Sequence, residues 1–544
     1  MEKRLTLAIV LTVIFLIAYQ QLVLKKYVPP PKKAATTESV VVRTSPAPAQ
    51  TTVNEPAPLS TTAIGEGRVR TWVKETKDYR AEFSNRGGTL ISFTLLGHKG
   101  SDHKPLELIS RRREVSPFAV YGEGADLFNS VFHKMETQES SEGTRLSFTF
   151  DDGQGNRSFK EFFLPSQGSL IDFSSRFLVN GRSRRLTLLW GPGLGTIQEK
   201  DKENAGYEFD ESLCFYDFGK VKRLKVKDIK EQQQIPANKW AALDIKYFVA
   251  LLSFKGNDGA AWIKTVEDSG NGKKGQRHGL LLFQGDGSFY LGPKSHDTLK
   301  AMGDSKENII DYGFFGLIAK ALLFLLQKAY TLIPNYGVAI ILVTIILKLV
   351  LLPLTFSSSV SMARMQELQP EIKRIQNRYK KFDRRDIEAR QKMNQEVMGL
   401  YKEHKINPAG GCLPLFIQLP FLWGFYNLLS ASIEIRHQPF FLWIQDLSQK
   451  DPIYILPVLM GLTQILLQKM TPSTSTDRNQ VFMTYGMSIF MTVLFLNFQS
   501  GLVLYWLLNN ILQVVQQYFV LDVLKKRKQT EALKKKAAER LFHD

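Results

Sequence analysis

Lys348 is the residue whose type and position most clearly suggest chemistry. It lies inside IILVTIILKLVLLPL, a stretch that is apolar enough to cross a bilayer. A cation in that environment raises the free energy of insertion by about 2.5 to 3.5 kcal/mol, so its presence calls for an explanation, and one explanation is a functional intramembrane site. The structural alternative is snorkelling, because the cytoplasmic end of the same helix, near Thr355, is about two turns away.

The remaining residue patterns are not those of an enzyme. The histidines of the amino-terminal half have no metal-ligand spacing, and the sequence contains no glycine-rich phosphate loop or nucleophile elbow. These histidines are His98, His103, His133, His278 and His296. The GPGLG segment at 191–195 lacks the spacing and the following helix of a dinucleotide-binding turn. We therefore predict a protein that is not an enzyme and has no catalytic residue, metal or cofactor.

The chain has 544 residues, a formal charge of +19 and 44% hydrophobic residues. Its mean hydropathy of −0.15 averages two different halves. Apolar runs of near-spanning length recur from about residue 336 onwards, whereas residues 25–313 are typical of a water-soluble segment. Cys214 and Cys412 lie in different halves, so no disulfide is expected. This distribution indicates a membrane protein with a large soluble domain.

The amino-terminal half divides into three predicted parts. Residues 1–24 contain an apolar run behind the charged residues EKR and have no small-x-small cleavage site, which favours an uncleaved transmembrane anchor. Residues 25–67 are rich in Pro, Thr, Ser and Ala and predict a flexible linker. Residues 68–313 alternate short runs such as RLSFTF and LIDFSSRFLV with Gly, Asn and Asp clusters, which predicts an antiparallel β-sandwich.

The carboxy-terminal half is predicted to be largely helical and to lie in the membrane. Residues 314–335 predict an amphipathic helix in the outer interface, since lysines interrupt the apolar residues. Residues 336–521 contain five spans, which with the anchor make about six transmembrane α-helices. The spans are predicted at Tyr336–Phe356, Cys412–Ile433, Ile453–Met470, Val481–Phe498 and Leu502–Leu521. The loop 357–407 and the tail 522–544 are rich in Lys and Arg, which places both in the cytoplasm and the sandwich outside.

The cytoplasmic loop 357–407 predicts a helical hairpin. Its first half carries apolar residues at three- and four-residue steps, namely Met362, Met365, Leu368, Ile372, Ile375 and Tyr379. A second helix over Arg384–Glu403, capped by Asp383, would pack antiparallel to the first. The basic residues on the other faces suit a plain solvated surface. The basic tail attracts anionic lipid through Lys525, Lys526, Arg527 and Lys528.

Four long segments of the carboxy-terminal half carry a family resemblance. They read PLTFSSSVSMARMQELQPEIKRIQNRYK, NPAGGCLPLFIQLP, QPFFLWIQDLSQKDPIYILPVLMG and SGLVLYWLLNNILQVVQQ. In this order they resemble the YidC/Oxa/Alb family of membrane protein insertases. The anchor followed by a large β-domain is similar to the family members of Gram-negative bacteria.

The resemblance implies an insertase and chaperone whose five carboxy-terminal spans enclose a hydrophilic groove, open to the cytoplasm and to lipid. Lys348 stands where arginine is usual in the family, and a lysine, unlike an arginine, can be neutralised by burial. Thr344, Gln418, Tyr505 and Trp506 would line the groove with it. Each has a structural alternative, which is a bond to a helix carbonyl for Thr344, helix contact for Gln418 and ordinary packing for the two aromatic residues.

The resemblance also implies partners and a location. The partners are nascent membrane proteins, the Sec translocon, membrane lipids, and a translating ribosome at the hairpin and basic tail. The location is the bacterial inner membrane, with both termini cytoplasmic and the sandwich periplasmic. Two other functions stay open: a secondary transporter that uses Lys348 as a substrate or coupling site, which predicts repeats and broken helices, and an envelope-assembly protein that its membrane half merely anchors.

Overall fold

A computed structural model gives the structure of most of the chain. It describes residues 67–100, 104–109, 116–122, 124–195, 211–217, 219–230, 232–235, 239–256, 259–267, 277–379, 386–404, 406, 413–470 and 478–541. The predicted anchor at 1–24, all but the last residue of the linker at 25–67, and Asp383 lie outside the described residues.

The described part of the amino-terminal half forms β-strands with short helical turns between them. In chain order, strands β1–β19 are Thr71–Glu75, Tyr79–Ser84, Thr89–Lys99, Pro105–Glu107, Val120–Tyr121, Lys134–Glu139, Gly143–Asp151, Arg157–Pro165, Leu170–Val179, Arg182–Arg184, Thr187–Trp190, Ser212–Asp217, Lys220–Lys225, Gln233–Ile235, Trp240–Asp244, Phe248–Phe254, Ala260–Glu267, Arg277–Gln284 and Gly287–Pro293. Every pairing between these strands is antiparallel, which confirms the predicted β-rich domain.

The strands form three sheets around one core. The sheets have the orders β1-β2-β3-β4, β13-β12-β15-β16-β19-β9-β8-β7-β6 with β10 on β9, and β14-β17-β18-β11-β5. Strand β8 shows why the sequence alternates. Ser158, Lys160, Phe162 and Leu164 are buried, whereas the residues between them are partly exposed on the other face. The buried face of each sheet supplies aromatic and aliphatic side chains to the same cluster.

Lys160 is an exception in this apolar core, because its side chain is only 1% exposed. Its ammonium group donates hydrogen bonds to the carbonyl oxygens of Gly87 and Phe118, each at 2.7 Å. Both acceptors lie in turns with left-handed backbone, at φ angles of 69° and 68°. The amine therefore links two turns of the sandwich. Burial lowers the pKa of Lys160 from 10.5 to about 7.

We expect the sandwich to become more stable as the pH rises from about 7 to about 10. Above pH 7 the folded chain holds Lys160 neutral, while the unfolded chain still binds the proton up to its ordinary pKa of 10.5. Pulse proteolysis of the full chain in urea, at about pH 7 and about pH 9.5, measures this change. The rise of the urea midpoint should shrink in Lys160→Met and persist in Lys134→Met, which alters an exposed lysine. An equal rise in all three proteins would contradict the assignment.

The helices lie mainly in the carboxy-terminal half. In chain order, helices α1–α10 are Ala125–Asn129, His296–Ala301, Gly316–Leu332, Tyr336–Glu367, Gln369–Tyr379, Ile387–Glu403, Leu413–Ala431, Ile455–Met470, Arg478–Phe495 and Ser500–Leu541. Short 3₁₀ turns occur at Val226–Asp228, Lys306–Ile309 and Ile433–Ile435. Among the described residues, Tyr336–Met365 is long and apolar enough to cross a membrane, and Ile455–Met470 and Tyr485–Phe495 are shorter apolar helices.

Residues 359–411 belong to one of two compact units of the chain, and α5 and α6 form a helical hairpin within it. A small buried cluster joins Ile372 of α5 and Tyr401 of α6 with Met365 of α4 and Leu368. The apolar face predicted for one helix is divided at Leu368, between the end of α4 and the start of α5. Pro370 explains the break, because it has no N–H to continue the helix and is favourable in the first turn of a new one. Helix α6 starts at Ile387 rather than Arg384, and its N-cap is Asp386, which accepts from the Ala389 N–H at 3.0 Å.

The ten-stranded sheet packs on the helices through its second face. Cys214 and Trp240 of that face belong to the same buried apolar cluster as Leu322 of α3 and Phe425 of α7. Cys214 is a free, buried thiol that donates to Asp244 Oδ1 at 3.4 Å. The second face of this sheet therefore shares one buried cluster with α3 and α7.

Candidate functional site

The candidate site lies between α4 and α10, where two polar pairs connect apolar helices. The Lys348 ammonium group, half-buried on α4, donates a hydrogen bond to Gln513 Oε1 on α10. Seven residues further along α4, the Thr355 hydroxyl lies 3.2 Å from Gln516 Oε1. The two polar residues of α4 are seven positions apart and those of α10 are three positions apart, so each pair lies on one face of its helix. The two helices thus meet along a polar seam.

A small cavity adjoins this seam. Its polar lining consists of Thr344, Lys348, Thr355, Gln418, Tyr505 and Asn509. Its volume is about 20 Å³, which is room for about one water molecule. The cavity is therefore a polar contact point that is too small for a ligand larger than a water molecule.

The structure brings three of the predicted residues together with Lys348 and leaves one outside the cavity. Thr344 and Gln418 line it, although the Thr344 hydroxyl donates to the Ile340 carbonyl at 2.6 Å. Tyr505 also lines it, with its ring stacked on Phe425 at 4.4 Å between centroids. Trp506 points elsewhere and packs near Phe495 of α9, at 5.6 Å between ring centroids.

A buried apolar layer precedes the cavity on α4. On α4, the residues that precede Thr344 on the inner face are Ala339, Ile340 and Val343, all fully buried. The stacked rings of Tyr505 and Phe425 form the matching layer on α10 and α7. On α4, the polar side chains of the seam lie within the twelve residues from Thr344 to Thr355, a rise of about 16 Å. A polar path therefore extends through only part of the helical layer.

Asn509, Gln513, Gln516 and Thr355 were not predicted from the sequence as site residues. A signal for the first three exists, because these amides recur at four- and three-residue steps inside the otherwise apolar run SGLVLYWLLNNILQVVQQ. Intramembrane amides at helical spacing indicate one polar face. The partner of that face cannot be read from the run itself.

The predicted tail cations lie on α10, which continues to Leu541 without a break. Lys526 forms an ion pair with Asp522, one turn earlier, at 2.8 Å. The side chains of Lys525, Arg527 and Lys528 lie outside the described part of the structure. In the described residues, no group of three or more His, Cys, Asp or Glu side chains is placed to hold a metal ion.

The outer faces of the helices carry exposed apolar side chains. On α4 these include Leu349 and Val350, which are 62% and 70% exposed. On α9 they include Ile489 and Phe490, which are each 59% exposed. Such a surface is unfavourable in water and favourable in hydrocarbon. Together with the polar cavity inside and the β-domain beside it, it defines a membrane protein with an internal hydrophilic site and a large extramembrane domain.

Comparison with known proteins gives the family. A family model described as 60Kd inner membrane protein matches residues 328–528, and one described as YidC periplasmic domain matches residues 72–325. Proteins named Membrane protein insertase YidC from Geobacter metallireducens and Syntrophus aciditrophicus are each 34% identical to this chain, covering 96% of it and 98% and 99% of themselves. The chain belongs to the YidC family of membrane protein insertases, which confirms the resemblance and places it in the inner membrane.

Solved structures of the family also align with the chain. A crystal structure of an active YidC insertase with its first transmembrane domain resolved covers 82% of this chain and 92% of that chain, at 18% identity and a TM-score of 0.37. The crystal structure of YidC from Thermotoga maritima covers 82% and 98%, at 15% identity and a TM-score of 0.27.

Proposed function

We propose that this chain inserts and folds inner-membrane proteins, and that the polar part of each substrate enters the membrane through the site at Lys348. The observation that carries the proposal is the Lys348–Gln513 contact, which holds a cation inside the helical layer beside a closed apolar layer. The relatives that match the full length of the chain are named membrane protein insertases. The chain acts on other proteins without catalysing a covalent reaction.

The Gln513 amide is a partner of Lys348 that an acidic group of a substrate can replace. An amide oxygen accepts a hydrogen bond from the ammonium group but carries no net charge, whereas a carboxylate adds the attraction of opposite charges to the hydrogen bond. An acidic tail that reaches the seam can therefore displace Gln513 from Lys348. Once the tail is held there, the apolar segment that follows it leaves sideways into lipid, driven by its own burial.

The site lowers the barrier by shortening the apolar path. Each polar group that crosses hydrocarbon without a partner costs several kcal/mol. The polar seam between Thr344 and Thr355 extends for about 16 Å, about half of a hydrocarbon core of about 30 Å. The remaining barrier is the layer of Ala339, Ile340 and Val343 with the Tyr505–Phe425 stack. The charge of Lys348 supplies part of the energy for crossing it.

The topology that suits this function has about six spans, formed by the anchor at 1–24 and by α4, α7, α8, α9 and α10. The basic hairpin and tail then lie in the cytoplasm, with both chain termini, and the β-sandwich lies in the periplasm. Helix α3 lies in the outer interface, with Leu317 and Phe324 exposed to lipid and its opposite face packed on α7. The seam between Thr344 and Thr355 then opens towards the cytoplasm.

The partners follow from the same arrangement. Nascent membrane proteins are the substrates. The hairpin at 357–407 and the tail cations Lys525, Lys526, Arg527 and Lys528 contact a translating ribosome, whose phosphates attract positive charge, or anionic lipid. The insertase acts alone or together with the Sec translocon.

The helix geometry favours this function over the two alternatives. A secondary transporter places its substrate at interrupted helices near the midplane. Helix α4 instead runs continuously past Lys348, and α10 runs continuously past Gln513. A mere anchor for the sandwich would have no use for a cation paired with an amide between apolar helices.

The direct test is reconstitution of the purified full chain in liposomes that contain no other protein. A short single-span substrate with an acidic tail is added, and the protease-protected fragment is measured. We expect protection well above that of protein-free liposomes. Absence of protection, in liposomes where the insertase is shown to be folded and correctly oriented, would contradict insertion by this chain alone.

A further inference from the structure

Four neighbouring strands of the ten-stranded sheet place one residue each in a cross-strand row. Gln138 of β6 lies opposite Arg145 of β7, which lies opposite Phe163 of β8, which lies opposite Asp172 of β9. Neighbouring strands are about 4.8 Å apart, so the row spans about 14 Å across the strands. The chain neighbours of Phe163 are buried in the core, so its ring lies on the open face of the sheet.

Two ion pairs lie on this face, beside the carboxylate of Glu142. Arg145 Nη1 lies 2.5 Å from Glu161 Oε1, and Lys255 Nζ lies 3.3 Å from Asp172 Oδ2. All four side chains keep part of their surface in water. Each ion pair is neutral as a whole and Glu142 adds one negative charge, so the face does not attract an anionic ligand. The same side chains still present hydrogen-bond donors and acceptors.

These residues line a cavity of about 490 Å³. Its wall includes Gln138, Arg145, Glu161, Phe163, Asp172 and Lys255. The volume falls within the range of about 300 to 1,000 Å³ that small-ligand sites occupy. The site lies in the β-sandwich and is separate from the seam at Lys348.

The chemistry of the wall selects a ligand with many hydroxyl groups. Carboxylates accept hydrogen bonds, the guanidinium group donates them, and the Gln138 amide does both, which matches hydroxyls that donate and accept together. The half-buried Phe163 ring offers an apolar surface among these polar groups, and the Arg145 guanidinium lies 5.9 Å from its centroid. A sugar ring has both surfaces, since its hydroxyls lie at the edge and its C–H groups cover a face that packs on an aromatic ring.

The direction of the row argues against an extended peptide. Peptides that bind a β-sheet usually add to an edge strand, parallel to the strands, and use the backbone hydrogen bonds of that edge. The row from Gln138 to Asp172 instead runs perpendicular to the strands, across side chains of β6, β7, β8 and β9. It extends over about 14 Å, a length that suits a short chain of sugar rings.

We propose that the open face of the sandwich at Phe163 binds a neutral oligosaccharide. Phe163 packs against a sugar ring, while Gln138, Glu161 and Asp172 hydrogen-bond to its hydroxyls. The ion pairs with Arg145 and Lys255 hold the two carboxylates in place. This site is independent of the insertion activity, so it stands or falls separately.

The test uses the full chain in lipid nanodiscs, because sugar-based detergents would compete. The probes are maltotriose, cellotriose and tri-N-acetylchitotriose, and binding is followed by saturation-transfer NMR and calorimetry. We expect saturable binding of at least one probe. Phe163→Ala and Asp172→Asn should each weaken it by about tenfold or more, as expected for loss of an aromatic contact or an ionic hydrogen bond.

Phe159→Ala is the matched control, because Phe159 lies on the same face of β8 but outside the cavity lining. It should bind the probe as the unaltered chain does, and the urea midpoint of each variant shows that the sandwich is folded. The proposal is overturned if none of the three probes binds at about 10 mM, the weak limit of specific affinity. It is also overturned if Phe163→Ala binds normally, or if a charged peptide binds at this face and the sugars do not.

Discussion

Replacing Lys348 by glutamate is expected to reduce insertion of a single-span substrate with an acidic tail by at least about tenfold. The substitution turns an attraction for the tail into a repulsion at the one seam where the tail gains a partner. Lys348→Ala should lie between glutamate and the unaltered chain, and Lys348→Arg should insert nearly as well, because it keeps a cation that can donate to Gln513. The measurement is the yield of protease-protected substrate in liposomes.

Lys328→Glu is the control for this series, because it makes the same change of charge at an exposed position of α3. It should leave insertion of the same substrate unchanged. If all the Lys348 variants insert as well as the unaltered chain, Lys348 is a snorkelling residue and the site lies elsewhere. The insertase assignment itself would survive that outcome, because it rests on the family comparison.

Replacing Phe118 by alanine is expected to lower the free energy of unfolding of the sandwich by about 3 to 5 kcal/mol. The ring is only 1% exposed and has five aromatic neighbours at centroid distances between 4.9 and 5.9 Å. These neighbours are Phe162, Phe173, Trp190, Phe283 and Phe289, from β8, β9, β11, β18 and β19. Alanine leaves a cavity among strands of two sheets, and it keeps the strained φ of 68°.

Pulse proteolysis of the full chain in urea measures this loss. Phe159→Ala is again the control, because it removes the same side chain from the partly exposed face of β8 and should cost less than about 1 kcal/mol. Equal losses in the two variants would contradict the central place of Phe118 in the core. Insertion measured on Phe118→Ala then reports whether an intact sandwich is needed for the activity.

The sequence located most helices because their signals are local. Helix α4 begins at Tyr336, where the apolar run begins after Pro334 and Asn335. It continues beyond the predicted end at Phe356, since the chain from Ser357 to Glu367 contains no proline and keeps helix-compatible residues. In the same way α10 runs from the apolar segment into the Lys- and Ala-rich tail without a break. The change from apolar to polar residues indicates where the helix leaves the hydrocarbon, but the helix itself continues past that point.

In the sandwich, by contrast, the tertiary structure decides more than the local sequence does. Alternation within β8 predicts which side chains face the core, because side chains alternate along any strand. The register between strands depends on how the whole core packs, and it decides that Arg145, Phe163 and Asp172 form one row. No motif marks these residues in the sequence, so a binding site in this domain cannot be recognised from the sequence. The cavity exists only once β6, β7, β8 and β9 lie side by side.

Lys348 shows both sides of the comparison in one residue. The sequence by itself determined that a cation lies in an apolar helix, because hydropathy is a property of neighbouring residues. It also determined the family, because long segments match in order. Only the tertiary structure decided what the cation contacts, since Gln513 lies 165 residues further along the chain. It also set Trp506 apart from the cavity and brought Thr344, Gln418 and Tyr505 to it. Such contacts arise from the packing of distant helices, which no local pattern encodes.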